Sequence, residues 1–189
     1  MKEIRQSNSN SLNLEDRHVT GYALVFETPS DNISGWTEII KRGAVTNETI
    51  TNSIVLAKLN HDDNKVLARS YYGKGTLSLT VDEHGLKYDF DAPNTSLGDE
   101  LLEYLKRGDI DSSSFAFTIS PEQDSERWYK KDGEIYRDIM KIDRLYDISP
   151  VFISAYESAV CSKRFSEIKE LSKEIDEKMN LLKIEFELM

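Results

Sequence analysis

From His18 the chain runs His-Val-Thr-Gly-Tyr-Ala-Leu-Val-Phe-Glu, with β-branched and aromatic residues in rough alternation. A period near two is that of a strand with one buried face. Thr28-Pro-Ser-Asp-Asn breaks it, and Ser53-Ile-Val-Leu-Ala-Lys-Leu-Asn reads as a short buried strand. Gly75-Thr-Leu-Ser-Leu-Thr-Val and Leu86-Lys-Tyr-Asp-Phe flank Asp82-Glu-His-Gly, a hairpin pattern. A second hairpin is expected from Trp128 to Tyr136 around Asp132-Gly133. Ser112-Ser-Ser-Phe-Ala-Phe-Thr-Ile reads as a strand, and Met140 to Ile153 contains further strand-like segments. Ser96 to Gly108 is the one good internal helix: Leu97, Leu101 and Leu105 share a face, and Gly108 stands where a terminating glycine belongs. Ser96 with Asp99 predicts its N-terminal capping box.

The two ends differ from this body. Met1 to Arg17 is polar, rich in Asn and Ser, and has no helical stripe. From Ser166 onward there is neither Gly nor Pro, and Ile168, Leu171, Ile175, Met179, Leu182 and Phe186 recur at the helical period. The expected organisation is a β-rich domain over 1–163 and an amphipathic helix over 164–189.

Composition narrows the function. With 39% hydrophobic and 10% aromatic residues, 189 residues can bury a core. Asp and Glu number 34 against 24 Lys and Arg, and the net charge of −10 argues against binding nucleic acid. The single Cys161 makes neither an internal disulfide nor a cysteine zinc site. No apolar run approaches the ~20 residues a bilayer span needs, and no signal peptide is read at the polar start. A soluble protein of a reducing cytoplasm is the expectation.

Candidate bases are His18, His61 and His84; candidate nucleophiles are Cys161 and many serines. His84 falls at a hairpin tip and His18 opens a strand, both ordinary positions. His61, in Asn60-His61-Asp62-Asp63-Asn64, directly follows an apolar strand, where polar loops project from a rigid scaffold. Asp62 and Asp63 lack the further ligands a metal centre requires, so no metal or cofactor is expected. On the strand that starts at Ser112, alternation places Ser113, Phe115 and Phe117 on one face and Ser112, Ser114 and Ala116 on the other. Ser114 then projects away from the aromatic side. Ser112 shares that face and stays a competitor, while alternation disfavours Ser113 more firmly.

Several blocks in sequence are Gly21-Tyr-Ala-Leu-Val-Phe, Leu59-Asn-His-Asp with Val66-Leu-Ala-Arg69, Gly75-Thr-Leu, Asp82-Glu-His-Gly-Leu86 and Arg107-Gly-Asp-Ile110. Ser114-Phe-Ala-Phe117 and Asp147-Ile-Ser-Pro-Val151 follow, ending at Ala155-Tyr156. As an ordered set, spanning about residues 20 to 164, they resemble the prohead maturation proteases of tailed phages, a serine peptidase family related in fold to herpesvirus assemblin. The resemblance implies His61 as general base, Ser114 as nucleophile and Asp147 as the acidic third member. It departs from the family in having Ser113 where Met usually precedes the nucleophile, Ala68 where Gly is common before Arg69, and Ser154 where Pro is common before Ala155.

The resemblance further implies a mainly β (α+β) fold: a closed antiparallel β-barrel of assemblin type with a few surrounding helices and a C-terminal amphipathic helix. It implies a serine endopeptidase that cleaves the scaffold segment of the major capsid protein, and itself, during prohead maturation. The expected place is the host cytoplasm, inside the assembling procapsid. The expected partner is the major capsid protein with its scaffold segment; self-association stays open, and neither nucleic acid nor membrane is expected. The terminal helix would be a scaffold-like or self-cleaved segment, and Arg69, Arg137 and Arg144 are candidate supports for an oxyanion. A catalytically silent assembly protein that binds capsid protein is the alternative from a different class.

Overall fold

The computed structural model of the chain describes residues 2–7, 13–15, 17–30, 33 and 35–152. Cys161 and the amphipathic segment expected from Ser166 lie outside them. The strands are β1 (Glu3–Ser7), β2 (Asn13–Glu15), β3 (His18–Val25), β4 (Trp36–Ile40), β5 (Ile54–Lys58), β6 (Val66–Tyr71) and β7 (Lys74–Gly75). They continue as β8 (Ser78–Val81), β9 (Gly85–Asp91), β10 (Ser112–Ile119), β11 (Glu126–Lys131), β12 (Glu134–Ile139) and β13 (Ile142–Val151). Helix α1 (Asn47–Thr51) precedes β5, and α2 (Ser96–Arg107) separates β9 from β10.

Among the described residues the strands do not close into a barrel. They form three separate sheets: six strands in the order β1-β10-β13-β5-β6-β7, three as β11-β12-β4, and four as β2-β3-β9-β8. Nor is the pairing wholly antiparallel, because β13 runs parallel to β5 and β12 parallel to β4. The expected closed antiparallel barrel is therefore corrected. The two outer strands of the large sheet, β1 and β7, pair with β10 and β6 and not with each other. The sheets instead share one core. Val19, Leu24, Leu86 and Phe90 enter it from the four-stranded sheet, Val55, Ala57, Phe115, Phe117 and Ile148 from the six-stranded one, and Ile40 and Ile139 from the third. Burial of side chains from all three sheets in that core supplies the apolar contact that closure would otherwise give.

Local chemistry explains the best-read elements. In the hairpin joining β11 and β12, Asp132 and Gly133 both take positive φ, 53° and 85°, as a tight turn with the right twist demands. In the β8–β9 turn the Asp82 carboxylate accepts from the backbone N–H groups of His84 and Gly85 at 2.8 and 2.9 Å. Helix α2 buries Leu101 fully, packs Leu97 and Leu105 against the core, and ends at Gly108 in the left-handed region. Its cap is Thr95, one residue before the expected Ser96, and it accepts from Gly98 N–H at 3.4 Å. Asp99 is turned outward to Arg17 at 2.9 Å. Of the stretch from Met140 to Ile153, the described residues up to Phe152 hold one long strand, β13, with register shifts against β10 between Ala116 and Phe117 and between Thr118 and Ile119. The polar start holds β1 and β2, and β4 and α1 lie where no element was expected.

Candidate active site

The centre of the large sheet sets the geometry of the site. Across β10 and β13, Ser114 stands opposite Ser149 and Ala116 opposite Asp147. Cross-strand partners share a face, so Ser114 and Asp147 are diagonal neighbours, roughly 7–8 Å apart in such a pair. That gap is too long for a direct hydrogen bond and fits an imidazole between them. His61 supplies it from the end of β5, which is β13's neighbour on the far side from β10.

The loop after β5 turns sharply to present that ring. Asn60 and His61 take φ of 53° and 60°, a left-handed pair unusual outside glycine but among the residue types that tolerate it. Backbone hydrogen bonds fix the turn: Asn60 N–H to the Pro150 carbonyl at 2.9 Å, Leu59 N–H to Lys65 at 3.0 Å, and Asp62 N–H to Leu59 at 3.1 Å. The Pro150 contact ties the loop to the strand carrying Asp147. His61 Nδ1 then lies 2.6 Å from Asp147 Oδ1, and Nε2 lies 2.6 Å from Ser114 Oγ. The three residues expected from the resemblance are thus brought into one hydrogen-bonded line.

Other side chains complete the surroundings. Ser149 Oγ donates to Asp147 Oδ1 at 3.1 Å and lies 3.2 Å from His61 Nδ1. Asp147 Oδ2 takes Lys2 Nζ at 3.1 Å and Lys58 Nζ at 3.4 Å, and Lys58 also reaches Asp63 at 2.6 Å. Burial pushes the Asp147 carboxyl up, but the hydrogen bond and charge of His61, followed by those of Lys2, outweigh it and hold the group well below the usual carboxylate range. Lys58 behaves in the mirrored way: burial works to lower it, and Asp63 and Asp147 carry it above the ordinary ammonium value. Asp147 is therefore a fixed anion on the Nδ1 side of the ring.

The competing serines have other partners. Ser113 points into the core, where its Oγ is 2.7 Å from the hydroxyl of fully buried Tyr88. Gly21 makes room for that ring: a Cβ there would sit 2.9 Å from the Tyr88 hydroxyl. Burial, the larger influence, pushes the Tyr88 phenol up beyond its usual range, so it stays neutral. Ser112 Oγ bonds Asp111 at 2.7 Å, outside the line. His18 pairs with Asp91 at 2.9 Å in an exposed position, and His84 stacks edge-on with Tyr22 at the hairpin tip, as its sequence position predicts.

The three arginines considered for an oxyanion are elsewhere. Arg137 is engaged by Glu3, Glu38 and Glu126. Arg144 pairs across from Thr118, four residues or about 13 Å along β10 from Ser114 at the strand rise. Arg69 on β6 is three strands from β10. Among the described residues no group of three or more His, Cys, Asp or Glu could hold a metal ion, and no helix is long and apolar enough to cross a membrane.

Sequence reasoning missed Ser149, Lys58, Lys2 and the Arg5 carbonyl, which accepts from Ser114 Oγ at 2.8 Å. Ser149 was reachable, since it lies two residues beyond Asp147 and so on the same strand face. Lys2 and Arg5 sit in a polar start that carries no hydrophobic periodicity.

A hydroxyl, an imidazole and a buried carboxylate in line are the parts of a serine hydrolase, recognised by geometry and in any chain order. Comparison with known families agrees with that class. The family model described as caudovirus prohead serine protease matches residues 3–174 of the 189. The chain belongs to this family, and it is a serine peptidase of bacteriophage capsid maturation. No curated protein and no solved structure matches the chain.

Proposed function

We propose that Ser114, His61 and Asp147 carry peptide hydrolysis by acyl-enzyme chemistry, and that the substrates are the scaffold segment of the major capsid protein and the chain itself. The observation that carries the assignment is the unbroken line of hydrogen bonds from Ser114 Oγ through the imidazole to Asp147, with 2.6 Å on either side of the ring. A serine hydroxyl is a weak nucleophile at its own pKa. As Ser114 Oγ bonds to the scissile carbonyl carbon, its proton passes to His61 Nε2. The imidazolium then gives that proton to the leaving amine, and a water molecule, deprotonated by the same nitrogen, hydrolyses the acyl-serine. Asp147 holds Nδ1 protonated, leaving Nε2 free to accept, and stabilises the positive charge that develops on the ring.

Capsid protein is the partner that family membership implies, and the interior of the assembling procapsid is the place where scaffold segments are concentrated. Confinement with the substrate raises its effective concentration, so a slow peptidase suffices.

The test is to mix the chain with the capsid protein of its own phage and follow intact masses. A discrete shortened capsid protein, absent after pretreatment of the chain with a fluorophosphonate, is the expected result. Shells that assemble from full-length capsid protein, with both chains unchanged in mass, would overturn the proposal.

A further inference from the structure

Ser114 is 4% exposed, and the strand paired along that side of β10 is the chain's own β1. β1 lies antiparallel along β10 from Glu3 opposite Phe117 to Ser7 opposite Ser113, with Gln6 directly opposite Ser114. Without β1, β10 would be an open edge beside the nucleophile, the kind of edge that captures extended peptides by strand addition.

Two contacts from this segment each quiet the centre. Ser114 Oγ donates to the Arg5 carbonyl at 2.8 Å while His61 Nε2 lies at 2.6 Å, and one hydroxyl proton cannot serve both acceptors at once. The serine meets the oxygen end of that carbonyl, so the peptide is held rather than attacked. Lys2 Nζ sits 3.1 Å from Asp147 Oδ2 and competes with the imidazolium for the same carboxylate.

A buried ionic pocket secures the strand. Arg5 forks onto Glu38 of β4 with contacts of 2.6 and 2.8 Å, and Glu3 is gripped by Arg137 of β12 at 2.6 and 2.9 Å. Glu38 and Arg137 face each other in register across the β12–β4 pair and also bond directly at 3.0 Å. If β1 leaves, Arg137 keeps Glu38 and Glu126, whereas Glu38 loses the guanidinium fork that neutralises it. The vacated pocket therefore calls for a cation.

We propose that β1 is an intramolecular stand-in for substrate. The peptide to be cut pairs with β10 in its place, carrying a basic residue at the Arg5 register that docks on Glu38 and brings its carbonyl to Ser114. The chain with β1 seated is latent, and cleavage requires the strand to be displaced. This inference rests on Ser114 being the nucleophile.

Labelling by a fluorophosphonate reads access to Ser114 without any peptide substrate. It is compared, by intact mass and peptide mapping, in full-length wild type and in two full-length variants with unchanged far-UV circular dichroism. Arg5→Glu repels Glu38; Ile4→Pro breaks the strand pairing without altering charge. Because the observed rate scales with the open fraction, both variants should label about tenfold faster or more. A synthetic peptide of residues 2–8 should slow the labelling of Ile4→Pro, and the same peptide with Arg5→Glu should not. Ser114-dependent labelling that is equal or slower in both variants, and indifferent to the peptide, overturns the inference while leaving the protease assignment standing. No Ser114-dependent labelling in any chain overturns the nucleophile itself and the inference with it.

Discussion

Two buried polar clusters lie on either side of β1, and they differ in what their protons can do. The Ser114–His61–Asp147 line contains a hydroxyl and an imidazole, a ring that can both take and give a proton. The Glu3–Arg5–Glu38–Arg137 cluster is as buried and its contacts are as short. Its guanidinium groups never deprotonate, and opposing carboxylates push Arg137 further up against the lowering effect of burial. One cluster can relay a proton; the other can only hold charges together. Short distances and burial do not by themselves define a catalytic centre.

The contrast breaks most sharply under substitution of the hydroxyl. Ser114→Ala should lower the rate of capsid-protein cleavage by about 10⁶-fold, yet change the unfolding free energy read from urea titration by less than about 1 kcal/mol. Asp147→Asn should cost roughly 10⁴-fold in kcat, since an amide no longer enforces the required tautomer; initial rates on capsid protein measure it. In the charge cluster the ordering reverses. Glu38→Ala leaves Arg5 and Arg137 short of a counter-charge and should destabilise the fold by about 3 kcal/mol in urea unfolding.

Acid sharpens the comparison further. Asp147 is depressed in the folded chain, so its contribution to stability is complete above the ordinary carboxylate range. As the pH falls through that range the unfolded chain binds the proton first, and the contribution fades toward strongly acidic conditions. Unfolding free energy should therefore fall more steeply below pH ~4 in wild type than in Asp147→Asn. The smallest expected effect is that of Ser149→Ala, which removes one hydrogen bond to Asp147 and should reduce kcat by about tenfold at most.

What the sequence revealed follows the range of its signals. Hairpins were legible because Asp132-Gly133 and Asp82-Glu-His-Gly are local, and α2 because its leucines repeat at the helical period. Ser114 and His61 were singled out by ordered blocks, and their meeting across 53 residues depends on the pairing of β13 with both β10 and β5, which no local pattern encodes. Sheet closure was read from kinship with a barrel fold; whether the outer strands of a sheet join is a matter of long-range pairing alone. The cap of α2 slipped by one residue because Thr95 and Ser96 both offer a hydroxyl. β1 was missed because its alternation is built from charge, with Glu3 and Arg5 turned to buried partners brought in by β4 and β12.

In the proposed mechanism Ser114, and neither neighbouring serine, attacks the peptide. Its most direct test is co-expression of the cognate capsid protein with wild type, Ser112→Ala, Ser113→Ala and Ser114→Ala, read by the intact mass of the capsid protein. A shortened capsid protein is expected with the first three, and only full-length capsid protein with Ser114→Ala. Shortening that survives Ser114→Ala, or that disappears with Ser112→Ala in a folded chain, would contradict it.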